Sequence, residues 1–600
     1  MAEKSSLKKM PVLRMQTWLW VILLLAVVVV FVPTFTVEYG LHSDHLNLVD
    51  KSQVTPLDDG VTWSLRGDQL LSTKDLRRCC DYFVESAWLR SIGRGLNAWI
   101  DNVYFLLFKH IHDFSLGRLA NALLLGLSTA MFYRHMVQRM LVPVPMAAAL
   151  SMGIFLLPPA LLYVTWLSQF IPGILPVFLS VLFYSWLDKI NRYDMYILNK
   201  RFLFFGLFSI VFYIVLCFIY PPNAIFIIVY PLVRLLNVRR IGWDTAHFPI
   251  IRDLTVLGIV SALFFVLVKH VVKPMHGFLF SPHVFFVSDN SSQRYAYLLS
   301  TDPFDILEKL FKSMAFGAHL WFPSQGVAPV CILLLMAGVF AHYHTSKNTL
   351  HRHLELYRIF LIGLTILLAA APVIGGRNAV IVGYRNSFTI MAMIAILTLW
   401  TVGYLGKTTL AMLHAGRPTW LFQRSPGAGR WLSGWAGRPL ALSSIGSGVF
   451  IVILTWVAHG YVADTAYYFG HIEQPYLERL LPGKTDPGVQ TVTLERRVPH
   501  TRVEPTERLC FYDHARRLRC LLQDEFSTLN SLVNHDLHLA VMTGNLLRKR
   551  DFGRAMTLKM ADVDHFGTNQ PGDTHWRVPL PTLTRIPDGV LLTLPSLFFW

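Results

Sequence analysis

The sequence predicts an all-α polytopic membrane protein with a small α+β domain at its carboxyl end. Apolar stretches of membrane-spanning length recur between Thr17 and Ala463. A helix rises about 1.5 Å per residue, so a hydrocarbon core about 30 Å thick needs about 20 apolar residues, and about eleven stretches meet this length. The composition is 53% hydrophobic and only 15% charged, whereas soluble domains contain about 25% charged residues. From about Asp464 the composition becomes that of a soluble domain.

The positions of the basic residues predict the orientation in the membrane. Lys and Arg close to spans favour the cytoplasmic side. With the basic amino terminus inside, every second connection is basic, and the short outside connections at 168–172 and 220–223 carry no Lys or Arg. The net charge of +17 therefore reflects inside connections, and no nucleic-acid partner is expected. The inside connections include Arg134, Arg139, Arg234, Arg239, Arg240, Arg252, Lys347, Arg352 and Arg358.

This alternation places the amino terminus in the cytoplasm and, with eleven crossings, the tail outside. Two regions make the span count open: residues 147–170 and 202–236 are interrupted or bordered by Pro158-Pro159, Pro172 and Pro221-Pro222. The alternative to two full spans is that one of these hairpins is re-entrant; proline is tolerated in a membrane helix when neighbours satisfy the freed backbone groups.

The chain divides into a membrane domain, 1–463, and an extracytoplasmic domain, 464–600. The membrane domain contains an outer loop at 38–115, whose helical end from Asp75 to Phe114 predicts either an interfacial amphipathic helix or ordinary packing. A second outer loop, 273–325, includes an amphipathic segment at 304–316. In the tail, 509–550 has helical periodicity and 576–600 alternates like short strands.

The six cysteines divide by compartment. Cys217 and Cys331 fall within spans and are expected to be packing residues. The others fall outside, where oxidising conditions permit disulfides. Adjacent cysteines such as Cys79-Cys80 rarely bridge each other, so a Cys510–Cys520 disulfide is predicted.

Acidic residues gather directly after the first span. Glu38, Asp44 and Asp50 lie in the first outer loop, where partly apolar surroundings can tune a carboxylate for general-base work. The alternative is a solvated loop acid. Asp101 and Asp113 are candidates for a second acid near the membrane, against the default of a solvated helix face.

Basic residues in outside loops are candidates for binding phosphate. Arg377 and Arg385 break the charge alternation in a short outside loop, and Arg suits bidentate contacts with phosphate. The alternative is that both arginines snorkel to lipid headgroups. Lys273 and Arg294, with His276, are further candidates in the second outer loop. A group of inside histidines indicates a basic cytoplasmic turn rather than a metal site: His342, His344, His351 and His353.

The order of these features resembles the GT-C superfamily of integral membrane glycosyltransferases: one span, an acid-bearing outer loop with amphipathic helices, about ten more spans and a soluble carboxyl-terminal domain. Within it the chain is most similar to bacterial O-antigen glucosyltransferases of the serotype-converting type, through Ser43-Asp44-His45 and Gly93-Arg94-Gly95-Leu96. His45 stands where those enzymes often have a second acid. The resemblance therefore leaves open the second catalytic group and a divalent cation, Mg²⁺ or Mn²⁺, which Asp44 would bind.

The resemblance implies transfer of a sugar, a hexose by preference, from a polyprenyl-phosphate donor to a glycan or lipid acceptor such as lipopolysaccharide. It implies a bacterial inner membrane, with the reaction on the periplasmic face and Asp44 as base. Two other classes remain. An O-antigen polymerase or ligase usually has its large loop late in the chain, and a transporter would show internal repeats and charged span centres, which the sequence almost lacks.

Overall fold

The computed structural model gives a mostly helical protein with two small sheets. It describes residues 9–37, 54–56, 62–65, 96–97, 99–100, 104, 113–167, 170–190, 200–267, 270, 303–318, 320–321, 327–344, 349–374, 384–416, 439–473, 475–476, 490–497, 509–513, 515–521, 556–565, 575–579, 582–586 and 589–593.

The described α-helices follow the apolar stretches. They are α1 (Lys9–Val30), α2 (Asp113–Arg139), α3 (Val144–Phe155), α4 (Pro158–Thr165), α5 (Leu175–Ile190), α6 (Lys200–Ile219), α7 (Pro221–Ala224), α8 (Val229–Leu236), α9 (Val238–Ile241), α10 (Trp243–Leu267), α11 (Pro303–Gly317), α12 (Val327–His344), α13 (Thr349–Ile374), α14 (Tyr384–Gly416) and α15 (Pro439–Tyr467). Short 3₁₀ turns cover Val32–Thr36 and Ile225–Ile228, and π-helical turns cover Phe170–Ile174 and Tyr468–Glu473.

Six of the described helical segments are long and apolar enough to cross a membrane, which supports a multi-pass membrane protein. They are Phe114–Arg139, Phe170–Leu187, Trp243–Phe264, His353–Pro372, Ser387–Gly406 and Ser443–Glu473. Three shorter apolar helices, Trp18–Val30, Gly206–Ile219 and Pro221–Leu236, accompany them. The predicted count of eleven spans is not confirmed.

Proline breaks the helices in the regions that the sequence indicated. Helices α3 and α4 together have the length and composition of a seventh span, but they are bent by 56° at the break before Pro158. The carbonyl groups near two other breaks accept side-chain hydrogen bonds: Asn223 Nδ2 donates to Pro172 O over 2.8 Å, and Thr389 Oγ1 donates to Pro222 O over 2.7 Å. Neighbouring helices thus satisfy the freed backbone groups, as an apolar environment requires.

Large apolar side chains point outward from several helices. Trp456 on α15 is 75% exposed and Leu207 on α6 is 60% exposed. In water such surfaces would favour aggregation, whereas lipid tails solvate them.

Helix α11 confirms the amphipathic segment predicted at 304–316. Its apolar side chains Phe304 and Phe311 are exposed, whereas Lys309 and Ser313 are buried. Exposed Glu308 and Lys312, one helical turn apart, form an ion pair. The helix packs against α13 and α14, so Phe304 and Phe311 are directed away from the bundle.

Nine described strands form two sheets. The strands are β1 (Val54–Pro56), β2 (Thr62–Leu65), β3 (Thr491–Arg497), β4 (Leu509–Tyr512), β5 (Leu518–Cys520), β6 (Met556–Val563), β7 (His575–Pro579), β8 (Thr582–Ile586) and β9 (Gly589–Thr593). The first sheet has the order β1-β2-β6-β3-β7 and the second β5-β4-β9-β8. β2 is antiparallel to β6, and Trp63 lies opposite Leu558. The first outer loop therefore contributes two strands to a sheet that the tail completes.

The tail shows one wrong and one correct prediction. The helical periodicity at 509–550 was misleading at its start, because β4 and β5 form an antiparallel pair there, in which Cys510 and Phe511 are both buried. The short strands predicted at 576–600 are confirmed by β7, β8 and β9. Helix α15 also continues past residue 463, and buried Tyr468 and Phe469 extend it as a π-helical turn.

Candidate functional site

An open pocket of about 530 Å³ lies where the chain leaves α1 and where α15 ends. Its walls combine the 3₁₀ turn Val32–Thr36 that follows α1, the last turn of α15 and the π-helical turn after α15. The lining residues are Pro33, Thr36, Val37, Ala463, Ala466, Tyr467, Gly470 and His471. Small apolar groups with a few hydroxyl and imidazole groups are typical of a site that binds a small organic group and orients it by hydrogen bonds. We call the end of the helical bundle that carries this pocket the pocket end.

Arg118 fixes the pocket wall that follows α1. This arginine of α2 is only 2% exposed. Its Nη1 donates to Val37 O over 2.5 Å and to Thr34 O over 3.4 Å, and its Nε donates to Thr165 O over 3.0 Å. A guanidinium has five N–H donors in a rigid plane, so one side chain can hold backbone from two segments. Arg118 thereby joins the exit from α1 to the end of α4.

Helix α4 also connects the pocket end to the start of α14. The ring of Phe388, near the start of α14, lies 5.8 Å from the ring of Tyr163. The Tyr163 hydroxyl accepts a hydrogen bond from Asn223 Nδ2 over 2.9 Å. The start of α14, which contains Arg385, therefore lies at the pocket end.

The second sheet packs on the pocket wall through Arg519. Arg519 Nε donates to Asp513 Oδ2 over 2.9 Å, and Nη1 donates to Asp464 Oδ1 on α15 over 2.5 Å. The Arg519 guanidinium lies 4.9 Å from the ring centroid of Tyr467, a distance typical of a cation–π contact. Phe511 of β4 packs against Tyr468, with 5.0 Å between ring centroids. The sheet therefore holds the last turn of α15 in place.

The predicted disulfide is confirmed. Cys510 and Cys520 lie directly opposite each other in the β4–β5 pair and are bonded. The turn that they close carries exposed Arg516 and Arg517. The disulfide therefore holds a basic turn on the same strand pair that positions Arg519. Cys217 and Cys331 are buried and free, as predicted for packing residues.

The described part of the predicted amphipathic segment packs on the pocket end. Tyr104 donates to Asn121 Oδ1 of α2 over 2.8 Å and stacks on Phe170, with 4.7 Å between ring centroids. Asn97 is buried, whereas Trp99 is 59% exposed. The described residues thus combine the two interpretations that the sequence left open, since one side packs on the bundle and one aromatic ring is exposed.

The structure locates the backbone of only two of the predicted catalytic and phosphate-binding residues. Asp113 is the first residue of α2 and Arg385 the second residue of α14, so both belong to the pocket end. The other candidates lie outside the described residues: Glu38, Asp44, Asp50, Asp101, Lys273, Arg294 and Arg377. The described chain nevertheless reaches Val37, so Glu38 directly follows a residue of the pocket wall.

Sequence reasoning missed Arg118, Asp464, Tyr467, His471 and Arg519. Arg118 carried a usable signal, because it is a basic residue near the outside end of a predicted span and so breaks the charge alternation as Arg385 does. The others carried none. Asp464 and Arg519 are 55 residues apart in sequence, and neither belongs to a motif.

Two arginines that the sequence assigned to inside connections belong to long helices, Arg252 to α10 and Arg358 to α13. Arg252 belongs to the candidate span Trp243–Phe264 and Arg358 to His353–Pro372. Arg252 Nε donates to Asp253 Oδ1 over 2.8 Å, and the Tyr184 hydroxyl donates to Asp253 Oδ2 over 2.7 Å. The candidate span Trp243–Phe264 therefore contains a pair of ionisable side chains, Arg252 and Asp253. The Asp253 carboxylate is hydrogen-bonded on both oxygens, which is the arrangement that a buried acid needs structurally.

Among the residues that the structure describes, no group of three or more His, Cys, Asp or Glu side chains is arranged to hold a metal ion. The acid that the sequence assigns to a divalent cation, Asp44, lies outside these residues.

Comparison with known proteins adds no relative, because no family model, no curated protein and no solved structure matches this chain. The functional argument therefore depends on the geometry of the pocket end.

The contact between the second sheet and α15 should weaken in acid. The backbone N–H of Arg517 donates to Asp513 Oδ1 over 2.8 Å. This hydrogen bond is the main reason that the pKa of the Asp513 carboxyl lies below its usual range, and the Arg519 guanidinium lowers the pKa further. A depressed pKa in the folded protein means that Asp513 contributes stability above its unfolded pKa of about 3.9. That contribution is lost as the pH falls through the lower folded value.

We therefore expect Asp513→Asn to lower the thermal midpoint of the detergent-solubilised protein at pH 7 and to lower it much less near pH 3. Asp564→Asn is the matched control, because Asp564 lies in an exposed bend directly after β6 of the first sheet. An Asp513→Asn effect of equal size at both pH values would contradict the assignment.

Proposed function

We propose that this protein is an integral membrane glycosyltransferase. It moves a sugar, a hexose by preference, from a polyprenyl-phosphate donor to a cell-surface glycan or lipid acceptor. The reaction takes place at the pocket end, which we assign to the periplasmic face of a bacterial inner membrane.

One observation carries this proposal: the wall of an open pocket at one end of the helical bundle ends at Val37, directly before the acidic segment Glu38–Asp50. The sugar of a lipid-linked donor lies close to the membrane surface because the phosphate is attached to a chain in the bilayer. A pocket of about 530 Å³ is within the range of sites for small organic molecules, about 300–1,000 Å³. It is large enough to accept one sugar unit.

The charges at the pocket end suit such a donor. Arg385 is the second residue of α14, whose start belongs to this end, and the disulfide-closed turn of the second sheet carries exposed Arg516 and Arg517. Guanidinium groups bind phosphate through paired hydrogen bonds. The Cys510–Cys520 disulfide supports the assignment to the periplasm, because disulfides persist in oxidising compartments.

The mechanism that we propose is direct displacement at the anomeric carbon. Asp44 accepts the proton of an acceptor hydroxyl as the new carbon–oxygen bond forms. The bond between the anomeric carbon and the phosphate oxygen breaks, and polyprenyl phosphate leaves with the electron pair. Arg385 stabilises the charge that develops on this leaving group. Tyr467 and His471, which line the pocket, orient the sugar by hydrogen bonds.

The experiment that tests the proposal uses the full chain, purified in detergent and supplied with a radiolabelled polyprenyl-phosphate hexose and a lipid-linked glycan acceptor. We expect label to appear in the acceptor with the intact chain. Asp44→Asn should reduce the rate by about 100-fold or more, as expected for loss of a general base.

Asp58→Asn is the matched control, because Asp58 lies in the same loop, between β1 and β2. It should retain the intact rate. If Asp44→Asn and Asp58→Asn transfer sugar equally well, Asp44 is not the base; if the intact chain transfers none, the proposed reaction is wrong.

A further inference from the structure

A second charged group lies at the opposite end of the bundle from the pocket. Arg239 lies on α9, and Glu355 and Arg358 lie on α13. We call these three residues the Arg358 cluster. Arg358 lies over Trp400 of α14, with 5.6 Å between its guanidinium carbon and the ring centroid. Trp400 is eleven residues beyond Thr389, which contacts the pocket end, and this corresponds to about 16 Å along the helix.

One carboxylate serves two guanidinium groups in this cluster. Arg239 Nη2 donates to Glu355 Oε1 over 3.1 Å. Arg358 Nη2 lies 3.0 Å from the other oxygen, Glu355 Oε2. The cluster therefore carries one excess positive charge.

The Arg358 guanidinium is incompletely hydrogen-bonded. The Arg358 side chain is only 3% exposed, and its Nε and Nη1 have no hydrogen-bond partner within the described part of the chain. A buried cation with unmet donors is costly, and such groups in proteins are normally paired with an anion. The remaining N–H groups of Arg358 point to a ligand that accepts hydrogen bonds and carries negative charge.

The surroundings of the cluster indicate where this ligand comes from. The Arg239 side chain is 51% exposed and reaches from the buried Glu355 to the surface. Trp243 and Tyr357 pack together beside it, with 5.8 Å between ring centroids. Aromatic rings with arginine at a helix end are typical of the level of the lipid headgroups.

We propose that the Arg358 cluster binds a phosphate-bearing anion, the headgroup phosphate of an anionic phospholipid in the leaflet opposite the pocket. Arg358 and Arg239 hold two phosphate oxygens, which restores the charge balance that Glu355 alone leaves incomplete. This site is separate from the proposed transferase pocket and does not depend on that activity.

The test measures the lipid that stays bound to the full chain. The intact protein is reconstituted in nanodiscs of equal parts phosphatidylglycerol and phosphatidylcholine, extracted in mild detergent and examined by native mass spectrometry. We expect retained phosphatidylglycerol in excess over phosphatidylcholine. Arg358→Gln should reduce the retained phosphatidylglycerol at least fivefold.

The matched control is Arg134→Gln, because Arg134 is exposed and lies in the half of α2 distant from Arg118, where its Nε donates to Gln138 of the same helix over 3.3 Å. It should leave lipid retention unchanged. Arg239→Gln, at a half-exposed position, gives a second test if Arg358→Gln does not yield a monodisperse protein.

A separate arm distinguishes the source of the phosphate. Inorganic phosphate is added to the lipid-depleted protein, and the thermal midpoint is followed. A midpoint increase with phosphate that Arg358→Gln abolishes, without lipid retention, would support the site and identify a soluble ligand. Equal lipid retention and equal phosphate response in the intact protein, Arg358→Gln and Arg239→Gln would overturn the proposal.

Discussion

Replacing Arg118 by leucine is expected to cause the largest loss of stability of any single change at the pocket end. The substitution leaves the carbonyl groups of Val37 and Thr165 without the Arg118 donor, whereas the Thr34 carbonyl keeps the backbone N–H of Val37. Each unsatisfied buried acceptor costs about 1–3 kcal/mol, and we expect a total loss of roughly 3–5 kcal/mol. Thermal unfolding in detergent measures this loss. Sugar transfer should fall in parallel, because Val37 anchors the chain that enters the acidic segment.

The control for this prediction lies on the same helix. Arg134→Leu changes an exposed arginine of α2 and should alter stability by less than about 0.5 kcal/mol. Arg118→Lys should be intermediate, because one ammonium group cannot reproduce the planar array of donors that reaches two segments. Equal thermal midpoints for Arg118→Leu and Arg134→Leu would show that Arg118 does not hold the wall.

Filling the pocket at Gly470 is expected to abolish activity while the fold is retained. A Cβ atom at this position would lie 3.9 Å from Val37 Cγ2, an ordinary van der Waals contact, so a side chain can be added without backbone strain. A leucine there would extend into the space between α1 and α15 that the sugar is proposed to occupy. We expect the transfer rate to fall about 100-fold, since displacement of a substrate by about 1 Å already has an effect of that size.

Gly460→Leu is the matched control for the pocket. Gly460 lies on α15 ten residues earlier, is exposed, and has no atom within 4 Å of an added Cβ. Both variants should keep their thermal midpoints within about 2 °C of the intact protein. If Gly470→Leu retains full transfer activity, the pocket is not the sugar site.

The sequence predicted the membrane class and the disulfide because both depend on local composition. A long apolar run must be buried in protein or surrounded by lipid, whatever the rest of the chain does. Hydropathy alone therefore predicts α5, α10 and α15. The breaks in the helices were predicted as well, because proline disrupts a helix locally. The partners of the freed carbonyl groups, such as Asn223 for Pro172, required knowledge of which helices pack together.

Contacts between distant segments account for what the sequence did not reveal. The pairing of β2 with β6 joins residues almost 500 positions apart, and no local pattern specifies it. The β4–β5 pair reads as helical in sequence, although the cross-strand disulfide and the packing of Phe511 on Tyr468 favour strands there. Arg252 was assigned to a connection because periodicity does not show that Arg252 donates to Asp253 or that the hydroxyl of Tyr184, on another helix, donates to the same carboxylate.

Sugar transfer to the cell envelope is tested most directly by mass spectrometry of lipopolysaccharide and lipid-linked glycans. The comparison uses cells that carry the intact chain, cells that lack it, and cells that carry Asp44→Asn at equal expression level. The account predicts a mass increment of a single hexose, or a similar sugar, only with the intact chain. Identical glycan masses in all three samples would contradict it, and a changed distribution of glycan chain lengths without a new sugar would indicate a polymerase instead.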